Sequence, residues 1–138
     1  MSNWRERLPQ TASVHDTLGI VVDEVTPERV VLHVAVTPAL HQPFGVLHGG
    51  ISALLAESAA SLGGLVTVAD NEIVVGTELN CSHLRSLSSG TVVAVATPVR
   101  IGRTVQVWAI DVRDEDNRLI CVARCSLQVL PAPSSSAH

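Results

Sequence analysis

The sequence predicts an α+β domain in which an antiparallel sheet wraps around one long central helix. Three observations carry that reading. Between His48 and Asp70 the only formally charged residue is Glu57, and a stretch that is apolar nearly all round marks a helix enclosed by other structure. Runs of period-two alternation flank it on both sides, two before and four after. The chain has 138 residues, enough for one domain with a real core, and strands, then a helix, then a meander is an α+β order rather than a βαβ one.

The elements follow in order. Residues 1–13, MSNWRERLPQTAS, form an N-terminal segment without the apolar run of a signal peptide, so a cytoplasmic location is expected. Leu18 to Val25 and Arg29 to Val36 read as two strands joined by a turn at Thr26-Pro27-Glu28. Val30, Leu32, Val34 and Val36 share one face of the second. Residues 37–47 are a loop, because Pro38 and Pro43 block regular structure.

The helix opens at His48-Gly49-Gly50. Along it, Gly50, Ala53, Glu57, Ser61 and Gly64 form a stripe that is small except for the carboxylate, so backbone from elsewhere can approach closely around Glu57. The segment from Ile51 to Ala69 is apolar enough to raise a membrane span, but Glu57, the Gly63-Gly64 pair and Ser52, Ser58 and Ser61 oppose it; a mid-span carboxylate costs about 2.5–3.5 kcal/mol. Four strands follow, at 73–85, 91–100, 104–112 and 119–130, with Asp114 to Asn117 turning the last hairpin. The domain is therefore expected over 14–130, and PAPSSSAH at 131–138 is by composition a disordered tail.

Composition excludes several chemistries. Net charge is −4 and the isoelectric point is near 5.8, so a basic nucleic-acid footprint is absent. The nine basic residues are all Arg, which removes Schiff-base and P-loop lysines. Tyr is absent, and Phe44, Trp4 and Trp108 are the only aromatics, which leaves little for base stacking. Cys81, Cys121 and Cys125 show no zinc spacing. Cys121 and Cys125 sit roughly 13 Å apart along one strand, too far for a disulfide, and read as small core residues. His41 and His48 have no matching carboxylate or Cys spacing, so no metal is expected.

The chemistry is expected at the helix. Its N-terminus offers unpaired N–H groups and a partial positive charge, and Gly49 and Gly50 let a substrate oxygen come close, as an oxyanion hole requires. Taken alone, His-Gly-Gly is also a plain turn and helix cap, and Glu57 is as readily a satisfied carboxylate as a catalytic one. Their combination with Gln42 and His48 favours a site. Glu57 lies roughly 10 Å along the axis from the first helical residue, too far for one chain to bring both groups onto one carbonyl. A second copy could supply one of them, which makes a site at a dimer interface plausible.

Three blocks, HQPFGVLHGGISALLAES, VVGTELNCSHLRS and the Gly-Arg-Thr-Val-Gln-Val-Trp run from Gly102, resemble the hotdog-fold acyl-CoA thioesterases. The resemblance covers nearly all of 14–130 and is strongest to the branch holding Arthrobacter-type hydroxybenzoyl-CoA, dihydroxynaphthoyl-CoA and enterobactin-proofreading thioesterases. It implies that Glu57 is the catalytic carboxylate, as nucleophile or as general base on water. Gly49 matches the backbone donor to the thioester oxygen, Gln42 and His48 match polar groups near that carbonyl, and Ser61 matches a residue that helps place water. His83 matches a residue lining the acyl pocket from the partner subunit. Arg85 and the Gly102-Arg103-Thr104 turn match regions that meet the CoA phosphates.

The residues and the resemblance lead to one expectation: hydrolysis of an acyl-CoA thioester, with an aromatic or hydroxyaromatic acyl group, to free acid and CoA. One carboxylate and an oxyanion hole suffice for a thioester, whose thiolate leaves easily, so no cofactor beyond the CoA ester itself and no membrane or nucleic-acid partner is expected. Because a single sheet covers only part of an apolar helix, a homodimer is expected, with a homotetramer built as a dimer of dimers as the family's usual outcome. A hotdog hydratase or dehydratase, and a non-catalytic acyl-CoA-binding module that does not need Glu57, are the alternatives.

Overall fold

The computed structural model describes residues 3–134; the last four residues of the expected tail lie outside the described residues. The order is a 3-10 turn at Trp4–Arg7, α1 (Val14–Leu18), β1 (Val21–Val25), β2 (Val30–Ala35), a 3-10 turn at Pro38–Leu40, α2 (Gly49–Leu65), β3 (Glu72–His83), β4 (Thr91–Ile101), β5 (Val105–Arg113) and β6 (Leu119–Pro131). All six strands form one antiparallel sheet in the order β1-β2-β4-β5-β6-β3. It wraps around α2, the only long helix among the described residues, as the sequence predicts. No helix among them is long and apolar enough to cross a membrane.

One expected strand is corrected. Residues 18–20 are not β: α1 occupies 14–18 and ends at Gly19, whose φ of 75° is left-handed. Ser13 and Asp16 close a reciprocal capping box around its start, with Ser13 N donating to Asp16 Oδ2 at 2.7 Å. That spacing of a hydroxyl and a carboxylate is a helix start signal written in the sequence. The strand begins only at Val21.

The core lies between α2 and the concave face of the sheet. Leu55, Ala56, Ala59, Ala60 and Leu62 of the helix meet Leu32, Val92, Ala94, Trp108, Ile110 and Leu127 of the strands. Trp108 is fully buried and its ring occupies the space a side chain at Gly63 would need. Its Nε1 donates to Gln106 Oε1 at 3.0 Å, and Gln106 Nε2 donates to Thr67 Oγ1 at 2.7 Å. Thr67 Oγ1 donates in turn to Gly64 O at 2.7 Å. A buried amide and indole are thus both satisfied against the end of α2, which their burial requires.

The N-terminal segment is tied to that same helix end. Arg7 donates to the carbonyls of Leu65, Val68, Ala69 and Glu72. These include carbonyls that a helix C-terminus leaves without internal partners, and a cation suits that end of the dipole. At the other hairpin, the buried Asp114 carboxylate accepts from the N–H groups of Asp116 and Arg118 and from Arg118 Nε. Asn117 takes the left-handed conformation, φ 62°, and the β5–β6 turn closes as expected.

Candidate active site

The loop before α2 is pinned at both ends. His48 N donates to Leu40 O, Leu47 N to Leu87 O, and Gln42 N to Val46 O, while Gly45 turns the chain with φ 81°. The Gln42 side-chain oxygen accepts from Phe44 N, so its amide NH2 is the half left to donate. His48 is the N-cap of α2, and its Nδ1 accepts from Gly50 N at 2.8 Å. With Nδ1 so engaged, a neutral His48 carries its proton on Nε2. The Gly50 N–H is consumed by this cap, and the Gly49 N–H is left without a partner among the described residues. It is the donor available to a substrate oxygen.

His83, at the end of β3, closes over this position. A methyl group on Gly49 would fall 3.0 Å from His83 Nε2. Gln42, Gly49, His83 and Arg85, with the buried Ser52, line one cleft of about 420 Å³. The structure therefore brings together four of the residues the sequence singles out. Arg85 lies just past the end of β3, which stops at His83 rather than at 85.

Glu57 stands elsewhere. The sequence predicts a lone carboxylate inside an enclosed helix; in the structure it is exposed, at the mouth of an open cleft between α2, β3 and the N-terminal segment. It lies over Gly76 of β3: a methyl group there would fall 2.5 Å from Glu57 Oε1. Gly76 also sits at a break in the β3–β6 register, between Gly76 and Glu78. Glu57 and Ser61, one turn apart on the same face, line a second, largely apolar cleft of about 720 Å³ between α2, β3 and the N-terminal segment. The sequence reasoning missed the contribution of Arg7, Leu8, Pro9 and His15 to that cleft.

Within one protomer the two halves of the expected site stay apart. Glu57 is two turns down the helix from Gly49. The Gly102-Arg103-Thr104 turn is tied to β6 by Thr104 O, which accepts from Val129 N and from Gln128 Nε2, whereas Arg85 follows the β3 end that pairs with Cys121. Seven residues of β6 separate those ends, roughly 23 Å.

One further cluster was invisible to residue spacing. Strand register sets Cys81, His83 and Cys121 on the same sheet face, with one ligand atom from each within 4.8 Å of the others; it is the only metal-type cluster among the described residues. Burial pushes the Cys81 thiol up, and pushes Cys121 up to about 12, with Cys81 beside it adding to the shift. Both are neutral thiols at neutral pH. Burial, then the Glu57 charge, raise Cys125 to about 11. His41 Nε2 is held by Ser88 O at 2.8 Å and His48 Nδ1 by Gly50 N, and neither histidine belongs to that cluster.

Comparison with known proteins gives the family. The family model of the thioesterase superfamily matches residues 44–121, the span from the loop through α2 to β6. The chain is 43% identical over 116 residues to a 1,4-dihydroxy-2-naphthoyl-CoA hydrolase of Listeria monocytogenes, covering 84% of this chain and 94% of that one. It is 42% identical over 113 residues to the proofreading thioesterase EntH of Cronobacter sakazakii, covering 82% of each. The crystal structure of a thioesterase from Haemophilus influenzae superposes with a TM-score of 0.84 at 41% identity, over 90% of this chain and 87% of that one. A helix presenting a glycine donor and a carboxylate, a six-stranded sheet around it, and this likeness in sequence and structure place the chain in the thioesterase superfamily, among the hotdog-fold acyl-CoA thioesterases.

Proposed function

We propose that the protein hydrolyses an aromatic or hydroxyaromatic acyl-CoA to the free acid and CoA, in a site shared by two protomers. The observation that carries the reading is the placement of Glu57 over Gly76 and of Gly49 under His83, at two positions along one edge strand. β3 is twelve residues long and has a neighbour on one side only, and an unpaired edge of that length invites a partner. If two copies pair through β3 about a two-fold axis between Leu79 and Asn80, Gly76 falls opposite the partner's His83. Glu57 of one protomer then faces the partner's Gly49 across the joined sheet. The same operation brings the partner's 102–104 turn to the end of the sheet that carries Arg85, and two arginine-bearing segments suit CoA phosphates.

In that arrangement the Gly49 N–H, helped by the helix dipole, holds the oxyanion as the thioester carbonyl is attacked, with Gln42 and His48 supplying further donors. Glu57 delivers the new bond, by attacking the carbonyl itself or by taking a proton from water that Ser61 positions. The C–S bond breaks and CoA leaves as thiolate; where Glu57 attacks, water then hydrolyses the mixed anhydride to the free acid and restores the carboxylate. The named activities of the relatives, on a dihydroxynaphthoyl thioester in one case, support an aromatic acyl group. Three free cysteines suit a reducing compartment, which supports the cytoplasm as its place.

The test is complementation. Glu57→Gln and Gln42→Ala should each be nearly inactive as pure dimers on an aryl-CoA. Unfolded, mixed and refolded, they should regain about a quarter of wild-type turnover, since half the dimers then hold one intact site of two. No recovery from folded mixed dimers would refute the shared site.

A further inference from the structure

α1 carries a polar group into the cleft that holds Glu57. The Ser13 capping box starts this helix, and His15 in its first turn reaches α2, where Nε2 lies 2.9 Å from Ser58 Oγ. Ser58 directly follows Glu57. His15, Glu57, Ser58 and Ser61 all line the same cleft, whose remaining wall is largely apolar: Val14, Leu54, Leu62, Ile73 and Val74 among others. A polar pair in an otherwise apolar wall, beside the reacting carboxylate, is the usual form of an orienting and selecting group in a small-molecule site.

Nothing in the thioester chemistry uses this pair. Glu57 and Ser61 face the reacting carbon, whereas His15 approaches from the N-terminal segment. Burial lowers the imidazole's affinity for a proton, against the pull of Asp16, so the ring is neutral at neutral pH and offers one donor and one acceptor. Whichever of the two meets Ser58, the hydroxyl of Ser58 keeps capacity for a further hydrogen bond. A ligand hydroxyl could complete the pair; a bare ring edge would leave it facing hydrocarbon.

Resting on the proposed aryl-CoA reading, we infer that His15 and Ser58 are the specificity-determining pair of the acyl cleft, hydrogen-bonding a ring hydroxyl and selecting hydroxylated aromatic acyl groups over unsubstituted ones. A site built to pair with a substrate hydroxyl discriminates far more sharply than an apolar pocket does, because its own polar groups go unpaired with the wrong ligand.

The experiment compares kcat/KM for benzoyl-CoA and for its three monohydroxylated isomers in the wild type, Ser58→Ala, His15→Phe and His15→Gln. The wild type should favour at least one hydroxylated isomer by about tenfold or more, since one good hydrogen bond alone is worth about that much. Ser58→Ala and His15→Phe should each cut that ratio by about tenfold, the loss falling mainly on the hydroxylated ester, and His15→Gln should restore part of it. Ala is the best helix former, so Ser58→Ala preserves α2 even if a change at His15 loosens α1. Turnover of aryl-CoAs with an unchanged ratio, or an equal loss on every ester, would overturn the inference alone. Absence of aryl-CoA turnover by the wild type would instead sink the reading on which it rests.

Discussion

The Glu57 carboxylate rests on the backbone of Gly76, so closely that a single methyl group there would lie 2.5 Å from Oε1 and 3.1 Å from Cδ. The obstructed atoms are the mobile end of a side chain, not backbone, and Gly76 has no left-handed φ. Gly76→Ala should therefore fold normally and displace only the carboxylate. A misplacement near 1 Å costs about a hundredfold in rate, so kcat should fall by about that much while the circular dichroism spectrum and melting temperature hold. Normal turnover in Gly76→Ala would show that the position of Glu57 does not matter.

Glu57→Gln keeps the volume and removes the charge and the nucleophile. Turnover should drop by about 10² or more, with KM changing far less, because the lost interaction belongs to the transition state. A single turnover in H2-18O probes the two roles of the wild-type residue. An unlabelled first acid, with the label left in the Glu57 carboxylate, indicates that Glu57 supplied the oxygen; label in the acid excludes only an anhydride opened at the Glu57 carbonyl.

At position 48, cap and catalysis can be uncoupled. His48→Ala leaves the Gly50 N–H without its acceptor and should cost about 0.5–2 kcal/mol of stability, as loss of an N-cap does. His48→Asn restores a capping oxygen without the ring. Chemical denaturation should find Asn close to wild type and Ala below it; activity that stays low in both assigns the imidazole to the substrate.

Gly63→Ala should be the most damaging small substitution in α2. Its added methyl meets the rigid Trp108 ring, which is wholly buried and anchored to Gln106, so neither partner can yield. Overpacking of this kind costs about 1–3 kcal/mol, measured as a lower denaturation midpoint, and Gly is the worse helix former, so the sign itself is diagnostic.

Cys121 gives the fold an alkaline limit. Burial raises its thiol from 9.0 to about 12: the native state keeps the proton that the unfolded chain releases. That contribution is whole below pH 9.0 and vanishes as pH climbs toward about 12. Stability measured between those values should fall with a steeper slope in the wild type than in Cys121→Ala, whatever the cost of the substitution at neutral pH. Equal slopes would assign the alkaline loss to other groups.

Much of the fold is legible in residue pattern because the pattern is local. Period-two runs at 30–36, 91–100 and 119–130 leave no other choice of strand, and an uncharged stretch with His-Gly-Gly at its head leaves no other start for α2. What escaped is long-range. Arg7 looks like any surface arginine until the carbonyls of Leu65, Ala69 and Glu72 converge on it. The Cys81, His83 and Cys121 cluster exists only through the pairing of β3 with β6. The lack of other charge in its helix marks Glu57 as interior, yet the cleft it lines between α2, β3 and the N-terminal segment stays open to solvent. The Ser13 and Asp16 spacing, by contrast, was a local signal passed over because the following Leu-Gly-Ile-Val-Val run resembles a strand.

The wall of the Glu57 cleft supplied by Arg7 to His15 belongs to no strand of the sheet. It is clamped to the rest of the molecule by one side chain, Arg7, on backbone carbonyls that are present whatever the residues around them are. Mutation can therefore rewrite Leu8, Pro9, Val14 and His15 without disturbing the helix that holds Glu57 or the glycine that faces it. On the proposed reading, selection acting on this short stretch can exchange one acyl group for another while the reaction is inherited unchanged.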